Sequence, residues 1–230
     1  MSVLIACAMP EEAAPFTEPA GTPAAQIRVV VTGIGMVNAA ANVTAELERT
    51  KLSGEQFTAV LSVGSAGGLD TAARIGEVIV GTRYRYHDAD ATAAGYRYGQ
   101  IPGMPEFFEA DGELLALARQ VAADNSAENS SETGPSDSAW VRFGEIVSGN
   151  SFITATNATR VRERFPDALA TEMEAVAIAQ VCAARDIPFL SLRAVSDLCS
   201  ADSAQVFDRN LDLASAQAAR IATEVATRIG

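Results

Sequence analysis

Short apolar runs alternate with helical patterns along the chain, and this alternation restricts the fold more than any other feature. The runs cover Val3–Ala8, Ile27–Thr32, Phe57–Val63, Gly76–Tyr84, Val141–Ser148 and Phe189–Val195. Continuous apolar runs of this length are typical of strands buried on both faces of a parallel sheet. The pattern therefore predicts an α/β fold with a central mixed, largely parallel, twisted sheet flanked by helices.

The domain organisation follows from what separates these runs. No proline- or glycine-rich linker divides them, so we expect a single domain over residues 1–230. Residues 124–138, with the sequence DNSAENSSETGPSDS, are the most polar part of the chain and follow a helical pattern over Asp111–Ala123. This composition predicts a mobile surface insertion at 124–138.

Charge and cysteine content exclude several kinds of partner. The chain has 17 Lys and Arg against 29 Asp and Glu, a net charge of −12, which opposes sequence-independent binding to nucleic acid or anionic lipid. No apolar run reaches the roughly 18 residues typical of a membrane span. Leu4–Cys7 is interpreted as a buried strand, because no basic segment precedes it as in a signal sequence. Cys7, Cys182 and Cys199 lack metal or redox spacing, and an odd number of scattered thiols fits a reducing cytoplasm.

The single histidine, His87, stands beside Asp88 and Asp90. A metal site or a Ser/His/Asp triad would have to be built on this one imidazole. We favour a hydrogen-bonded cluster that anchors the loop, so neither a metal nor a cofactor is predicted.

Polar or glycine-rich turns follow several of the predicted strands. Glu11 and Glu12 follow the first run, Gly33-Ile-Gly35 the second, and Gly64–Leu69 the third, while Asp197 ends the last. Ligands of open α/β sheets bind beyond the carboxyl ends of strands, so these turns are candidate site segments. The residues alone leave other roles open, since acids also suit a helix N-terminus and glycines a tight turn.

The stretch Ala170–Ser200 holds further acidic candidates. Residues 172–174 open a helical pattern, and Thr171 and Glu174 have the spacing of a capping box. Asp197 also suits a cap of the turn that follows it. Spacing therefore does not separate capping from catalysis.

Arg193 lies in the middle of the last apolar run. A buried guanidinium needs an acidic partner, and Glu12 and Glu174 are the candidates. Phe152 and Phe207 are compatible with ordinary core positions as well as with a binding pocket.

Seven segments carry a resemblance to a known enzyme family. They are AMPEE at 8–12, TGIGMVNAA at 32–40, VGSAGGL at 63–69, YHDADATAAGYRYGQIPGMP at 86–105, SGNSFI at 148–153, TEMEAVAIAQVC at 171–182 and RAVSD at 193–197. With these segments in the family's order, the chain resembles the 5'-methylthioadenosine/S-adenosylhomocysteine nucleosidases, within the purine nucleoside phosphorylase and uridine phosphorylase superfamily. The resemblance implies a nucleoside phosphorylase-like fold and hydrolysis of the bond between adenine N9 and ribose C1', giving adenine and a 5'-thioribose.

The resemblance also implies catalytic roles. Adenine leaves readily only when its N7 is protonated, which requires a carboxylic acid of raised pKa; that acid would be Asp197. The ribosyl ring then carries positive charge, and Glu12 would activate the attacking water, with Ser65 and Arg193 placing it. Glu174 would accept hydrogen bonds from the 2'- and 3'-hydroxyls.

The remaining implied residues bind the substrate. Phe152 would stack on adenine and the backbone at Ile153 would read its edge, while Met173 would pack on the sugar. Met9 and Phe207 would line the pocket for the apolar 5'-thio group. The implied binding set is completed by Ala66, Gly67 and Ser196.

The family resemblance implies a homodimer in which the loop 91–110 completes the neighbour's 5' pocket. Three alternatives to the activity stay open. They are a futalosine-type nucleosidase, which the short segment 13–32 leaves possible, a phosphate-dependent phosphorylase, and a non-catalytic nucleoside-binding protein. Against the phosphorylase, the first turn carries Pro10-Glu11-Glu12, whose carboxylates would repel phosphate.

Overall fold

Eight strands are described in the computed structural model, which covers residues 2–16, 27–129 and 140–229. The strands are β1 (Ser2–Cys7), β2 (Ile27–Val31), β3 (Phe57–Gly68), β4 (Val78–Tyr86), β5 (Phe108–Glu109), β6 (Val141–Ser148), β7 (Ala168–Glu172) and β8 (Phe189–Asp197). The α-helices are α1 (Pro10–Ala13), α2 (Met36–Leu52), α3 (Gly112–Asn129), α4 (Ala155–Arg164), α5 (Ala175–Ala183) and α6 (Ser203–Arg228).

The strands form one mixed, largely parallel sheet, which confirms the predicted fold class. The pairs β1–β2, β1–β3, β3–β8, β4–β6 and β6–β7 are parallel, whereas β3–β7, β4–β8 and β4–β5 are antiparallel. Because β8 pairs with both β3 and β4, and β7 joins β6 to β3, these five strands close into a circuit. The antiparallel β3–β7 contact is short, with Gly67 paired with Thr171 and Gly68 with Ala170, so the carboxyl-terminal part of β7 lies beside the end of β3.

Hydrophobic cores lie on both faces of the sheet. In β1, Val3 and Ile5 belong to the same buried cluster as residues of α3 and α6, whereas Leu4 and Ala6 belong to the cluster with α2 and α5. Successive side chains of a strand point to opposite faces, so a continuous apolar run is what a strand covered on both faces requires. Leu4–Cys7 lies within this strand, as the sequence predicts.

Strand β7 was not predicted, and the helical interpretation of residues 172–174 is wrong. Thr171 pairs with Gly67 of β3, and Glu172 pairs with Ser148 of β6, so both residues belong to the sheet. Helix α5 begins at Ala175. The proposed capping box between Thr171 and Glu174 therefore does not form.

Helix α3 continues six residues beyond the predicted end at Ala123, through Asn129. Contacts with α6 hold this extension: Asn125 is buried and donates to Glu224 Oε2 at 2.9 Å, and Asp124 pairs with Arg228 at 2.9 Å. Residues 124–129 of the predicted insertion are therefore helical, and their mobility stays a prediction. Residues 130–138 of that prediction lie outside the described residues.

The described cysteines are buried free thiols at positions 7, 182 and 199. Among the helices that the structure describes, none has the length and apolar character needed to cross a bilayer.

Candidate active site

A cavity of about 180 Å³ opens where the carboxyl ends of β3, β7 and β8 come together. All thirteen site residues predicted from the sequence line it: Met9, Glu12, Ser65, Ala66, Gly67, Phe152, Ile153, Met173, Glu174, Arg193, Ser196, Asp197 and Phe207. Five lining residues were not predicted, namely Ala8, Ile34, Ser151, Thr171 and Glu172. The meeting of β3 with β7 explains this convergence, because it brings the segment after β7 next to the end of β3.

Glu12 lies in the first turn of α1, and its side chain is only 2% exposed. Oε1 accepts hydrogen bonds from the backbone N–H and the hydroxyl of Ser65, both at 2.8 Å. Oε2 accepts the N–H groups of Ala8 at 2.9 Å and Met9 at 3.3 Å. Glu12 thus caps its helix and also reaches β3, whereas Glu11 is the exposed surface acid of the pair.

The predicted glycine turn at 64–69 is strand up to Gly68, because the ladders with β7 and β8 continue that far. Gly64 is needed there for close approach: a Cβ at this position would lie 2.5 Å from Oε1 of Glu12. The backbone N–H group of Ser65 donates a hydrogen bond to the Glu12 carboxylate. The segment therefore positions a catalytic candidate in addition to lining the cavity.

Arg193 is 1% exposed and is surrounded by oxygen atoms. Its closest carboxylate is Glu172, with Nη2 2.8 Å from Oε2, and the same nitrogen donates to Ser62 Oγ at 2.7 Å. Glu174 is farther away, with Nη1 3.4 Å from its Oε2. The prediction that Glu12 or Glu174 would be the acidic partner was incomplete, because Glu172 holds the shortest contact.

Glu174 occupies the N-cap position of α5, but its side chain does not cap the helix. Its Oε1 accepts the N–H of Gly35 at 2.8 Å. Gly35 has a φ of 96°, a conformation that glycine adopts without strain. Burial raises the pKa of Glu174 to about 7, against the effect of Arg193 and with a further contribution from the Glu172 carboxylate.

Asp197 ends β8 and is 1% exposed. Its Oδ1 accepts the N–H of Cys199 at 3.0 Å, and its Oδ2 accepts the hydroxyl of Ser196 at 3.2 Å. Burial raises the pKa of the Asp197 carboxyl above its usual range, although these hydrogen bonds and one from Ser203 oppose the shift. The side chain therefore organises the turn after β8, and its burial makes the carboxyl easier to protonate than an exposed aspartate.

Phe152 and Phe207 form one wall of the cavity in an edge-to-face pair, with ring centroids 5.9 Å apart and an interplanar angle of 83°. Phe152 is 44% exposed, so the alternative that it is an ordinary core residue is wrong. An exposed ring at the mouth of a cavity offers a face on which a planar ligand can stack.

His87 lies directly after β4, but the favoured hydrogen-bonded cluster does not form through its ring, because Nε2 has no hydrogen-bond partner among the described residues. His87 is buried, donates its backbone N–H to Ser148 at 2.8 Å, and its ring packs against Gly149. Burial lowers the pKa of the imidazole, an effect that the adjacent Asp88 opposes. Across residues 2–16, 27–129 and 140–229, no group of three or more His, Cys, Asp or Glu side chains is arranged to hold a metal ion.

Among the four carboxyl groups that line the cavity, Asp197 and Glu12 have different environments. Burial raises the pKa of Asp197, whereas the Glu12 carboxylate accepts hydrogen bonds from four donors. Two carboxyl groups with different environments are the arrangement in which one serves as acid and the other as base. Arg193 is the sole cationic residue among those that line the cavity in the described part of the chain.

Comparisons with known proteins identify the family. The family model described as phosphorylase superfamily matches residues 2–227. A 5'-methylthioadenosine/S-adenosylhomocysteine nucleosidase of Bacillus cytotoxicus is 40% identical over 191 residues, which is 83% of this chain and 76% of the relative. The Staphylococcus carnosus enzyme of the same name is 39% identical over 201 residues, 87% of this chain and 81% of the relative. The crystal structure of the Neisseria meningitidis nucleosidase with methylthio-immucillin-A aligns with a TM-score of 0.86 and 32% identity, covering 99% of each chain.

Replacing Gly64 by Ala is expected to destabilise the fold by about 1–3 kcal/mol, because the new methyl group overlaps the Glu12 carboxylate. Urea denaturation of both proteins measures the difference. Gly112→Ala is the matched control, since nothing lies within 4 Å of a Cβ at the start of α3. Equal effects of the two substitutions would show that the Gly64–Glu12 contact is not tight.

Proposed function

This chain belongs to the phosphorylase superfamily and, within it, to the 5'-methylthioadenosine/S-adenosylhomocysteine nucleosidases, and from this we propose how its cavity carries out the reaction. The enzyme hydrolyses the N-glycosidic bond of 5'-methylthioadenosine and S-adenosylhomocysteine, which yields adenine and a 5'-thioribose. The observation that carries the mechanism is the convergence of Asp197 and Glu12 on one cavity.

Asp197 is the general acid. Protonation of adenine N7 makes the base a better leaving group, and a buried carboxyl with a raised pKa keeps a proton available for this step. Ser196 and the N–H of Cys199 fix the orientation of its two oxygens. As adenine departs, the proton passes from Asp197 to N7 and positive charge develops on the ribosyl ring.

Glu12 is the general base. The water attacks C1' and transfers a proton to the Glu12 carboxylate, whose position is fixed by Ser65 and by the backbone at the start of α1. Arg193 helps to orient the water. The negative charge of the Glu12 carboxylate also stabilises the positive charge that develops on the ribosyl ring.

The ribose and adenine are bound by the remaining lining residues. Glu174 accepts hydrogen bonds from the ribose hydroxyls, and Met173 packs on the sugar. Phe152 stacks on the adenine ring, and the backbone at Ile153 reads its edge. The apolar 5'-thio group lies against Phe207 and Met9, which both line the cavity.

Water, rather than phosphate, is the nucleophile. A phosphate dianion needs uncompensated cations, and the one guanidinium that lines the cavity in the described part of the chain is already paired with Glu172 and Glu174. Glu12 would add repulsion. We therefore expect catalysis without phosphate dependence.

We also infer that the enzyme is a homodimer. No residue of the loop 91–110 lines the cavity of its own chain, and apolar side chains are exposed on the same side, with Ile34 51% and Val37 78% exposed. An exposed apolar patch beside a cavity is typical of an interface. The loop of a second copy would cover the patch and complete the 5' pocket.

The location that we propose is the cytoplasm. Three buried free thiols fit a reducing compartment, and the nucleoside substrate needs no membrane or nucleic-acid partner.

The reaction is tested with a substrate panel in the presence and absence of phosphate. Methylthioadenosine and adenosylhomocysteine should each release adenine at the same rate with and without phosphate, with free 5'-thioribose as the second product. Adenine release can be followed by chromatography. A ribose 1-phosphate product would identify a phosphorylase, and turnover of aminodeoxyfutalosine alone would identify a futalosine-type enzyme.

The roles of the two carboxyl groups are tested by amide substitution. Asp197→Asn and Glu12→Gln should each lower kcat by about 100-fold or more, because each removes a proton-transfer group, while nucleoside binding stays measurable by calorimetry. The exposed Asp212→Asn on α6 serves as the control and should retain normal kcat. Near-normal turnover of Asp197→Asn would remove this residue from the acid role.

The dimer is tested at the exposed end of α2. Val37→Asp places a charge in the apolar patch and should shift the protein towards monomer in sedimentation equilibrium, with a raised KM. Leu52→Asp is the matched control, because Leu52 is 88% exposed at the other end of the same helix. A monomeric wild-type protein would contradict the assembly.

A further inference from the structure

Three buried carboxylates surround one buried guanidinium in this cavity. Glu12, Glu172 and Glu174 are all under 10% exposed, as is Arg193. Charges in a low-dielectric site need compensation, and one cation does not neutralise three anions. The donors that each carboxylate receives therefore decide how the cluster is organised.

Glu172 is the carboxylate with the closest hold on Arg193. Besides that ion pair at 2.8 Å, its Oε2 accepts the N–H groups of Glu174 at 2.9 Å and Ala175 at 2.8 Å. Its Oε1 accepts the hydroxyl of Ser148. The side chain thus joins the ends of β6 and β7, the middle of β8 and the first turn of α5.

Glu174 is much less saturated. Within the described residues its carboxylate receives one short hydrogen bond, from Gly35 at 2.8 Å, and one long contact from Arg193 at 3.4 Å. Glu12, in contrast, has four donors. A carboxylate accepts roughly four hydrogen bonds, so Glu174 is the member of the cluster with acceptor positions left for a ligand.

We propose that Glu172 is a positioning residue for the hydrolysis: by holding Arg193 and the start of α5, it keeps the guanidinium from closing onto Glu174 and leaves that carboxylate open to the ribose hydroxyls. This inference rests on the proposed function, in which Glu174 binds the ribose. Glu172 does not touch substrate or the reacting atoms in this role. It acts through Arg193 and Glu174.

The electrostatic environment of Glu174 supports these separate roles of Glu172 and Glu174. Four groups face Glu174: the guanidinium of Arg193 from β8, the carboxylate of Glu172 from β7, the N–H of Gly35 at the start of α2, and the carboxylate of Glu12 from α1. Burial and the two carboxylates keep the pKa of Glu174 near 7, whereas Arg193 and Gly35 lower it. Without the charge of Glu172, Arg193 would pair with Glu174 and that pKa would fall.

The test compares Glu172→Gln with wild type on methylthioadenosine and on its 2'-deoxy analogue. The ratio of kcat/KM between these two substrates reports the contact between Glu174 and the hydroxyl. In the variant, Arg193 occupies the acceptor positions of Glu174. The KM for methylthioadenosine should rise, and the ratio should shrink by about 10-fold, the loss expected for one charge-assisted hydrogen bond.

The pH profile gives a second readout, which a purely structural role would not move. In wild type, kcat/KM should fall as the pH falls below about 7, because Glu174 then takes up a proton. In Glu172→Gln this acid limb should move to lower pH. An unchanged substrate ratio and an unchanged acid limb would overturn the proposal.

Glu145→Gln is the matched control. Glu145 is 4% exposed and its carboxylate pairs with Arg83 at 2.7 Å and Arg85 at 3.0 Å, but it does not line the cavity. This variant should lose stability and keep both the ratio and the acid limb of wild type. A control that shifts like Glu172→Gln would assign the effect to general loosening of the fold and overturn the proposal.

Glu172→Asp carries the test if the glutamine variant does not fold. The shorter side chain keeps the charge but does not span Arg193 and α5 together, so the substrate ratio should still shrink while the acid limb stays near that of wild type. A wild-type enzyme that shows no preference for the 2'-hydroxyl would instead contradict the proposed role of Glu174, and this result is distinguishable from a failure of Glu172 alone.

Discussion

The site depends on keeping one guanidinium buried. Arg193 lies in the middle of a strand in which every residue is buried, and a charge in such a place is tolerated only when it is paired and hydrogen-bonded. Glu172 and Glu174 supply the pairing, and Ser62 supplies a neutral acceptor. The elements that carry these groups are thereby fixed relative to each other, and the cavity between them keeps its shape.

The sheet topology makes this cluster possible. In a wholly parallel sheet, the carboxyl ends of β3 and β7 would lie side by side only if the two strands were neighbours. Here the two strands meet antiparallel over two residue pairs, so the chain that leaves β7 lies next to the carboxyl-terminal part of β3. Glu172 ends β7 and Glu174 is the N-cap of α5 two residues later, so their two carboxylates meet different partners.

The alternation of apolar runs was sufficient to predict the fold class and six of the strands, because strands that are buried on both faces appear in the sequence as continuous apolar runs. It was not sufficient for β7. Glu, Met and Ala favour helices, and the spacing of Thr171 and Glu174 resembles a helix start, so local preference pointed away from a strand that tertiary pairing imposes. The role of Glu172 was also beyond local sequence patterns, since its partner Arg193 lies twenty-one residues further along the chain. The thirteen candidate site residues came from the family resemblance, whereas spacing alone did not separate capping from catalysis. Glu12 and Asp197 show why, because each carboxylate accepts backbone hydrogen bonds of a turn or helix start and also lines the cavity.

Gly64 shows that a site can require a residue without a Cβ atom. Every other amino acid brings at least a Cβ, and all of them would meet the same carboxylate. No other amino acid can therefore replace this glycine without a clash with the Glu12 carboxylate. A side chain at position 64 would displace the Glu12 carboxylate and thereby disturb its hydrogen bonds to Ser65 and to the start of α1.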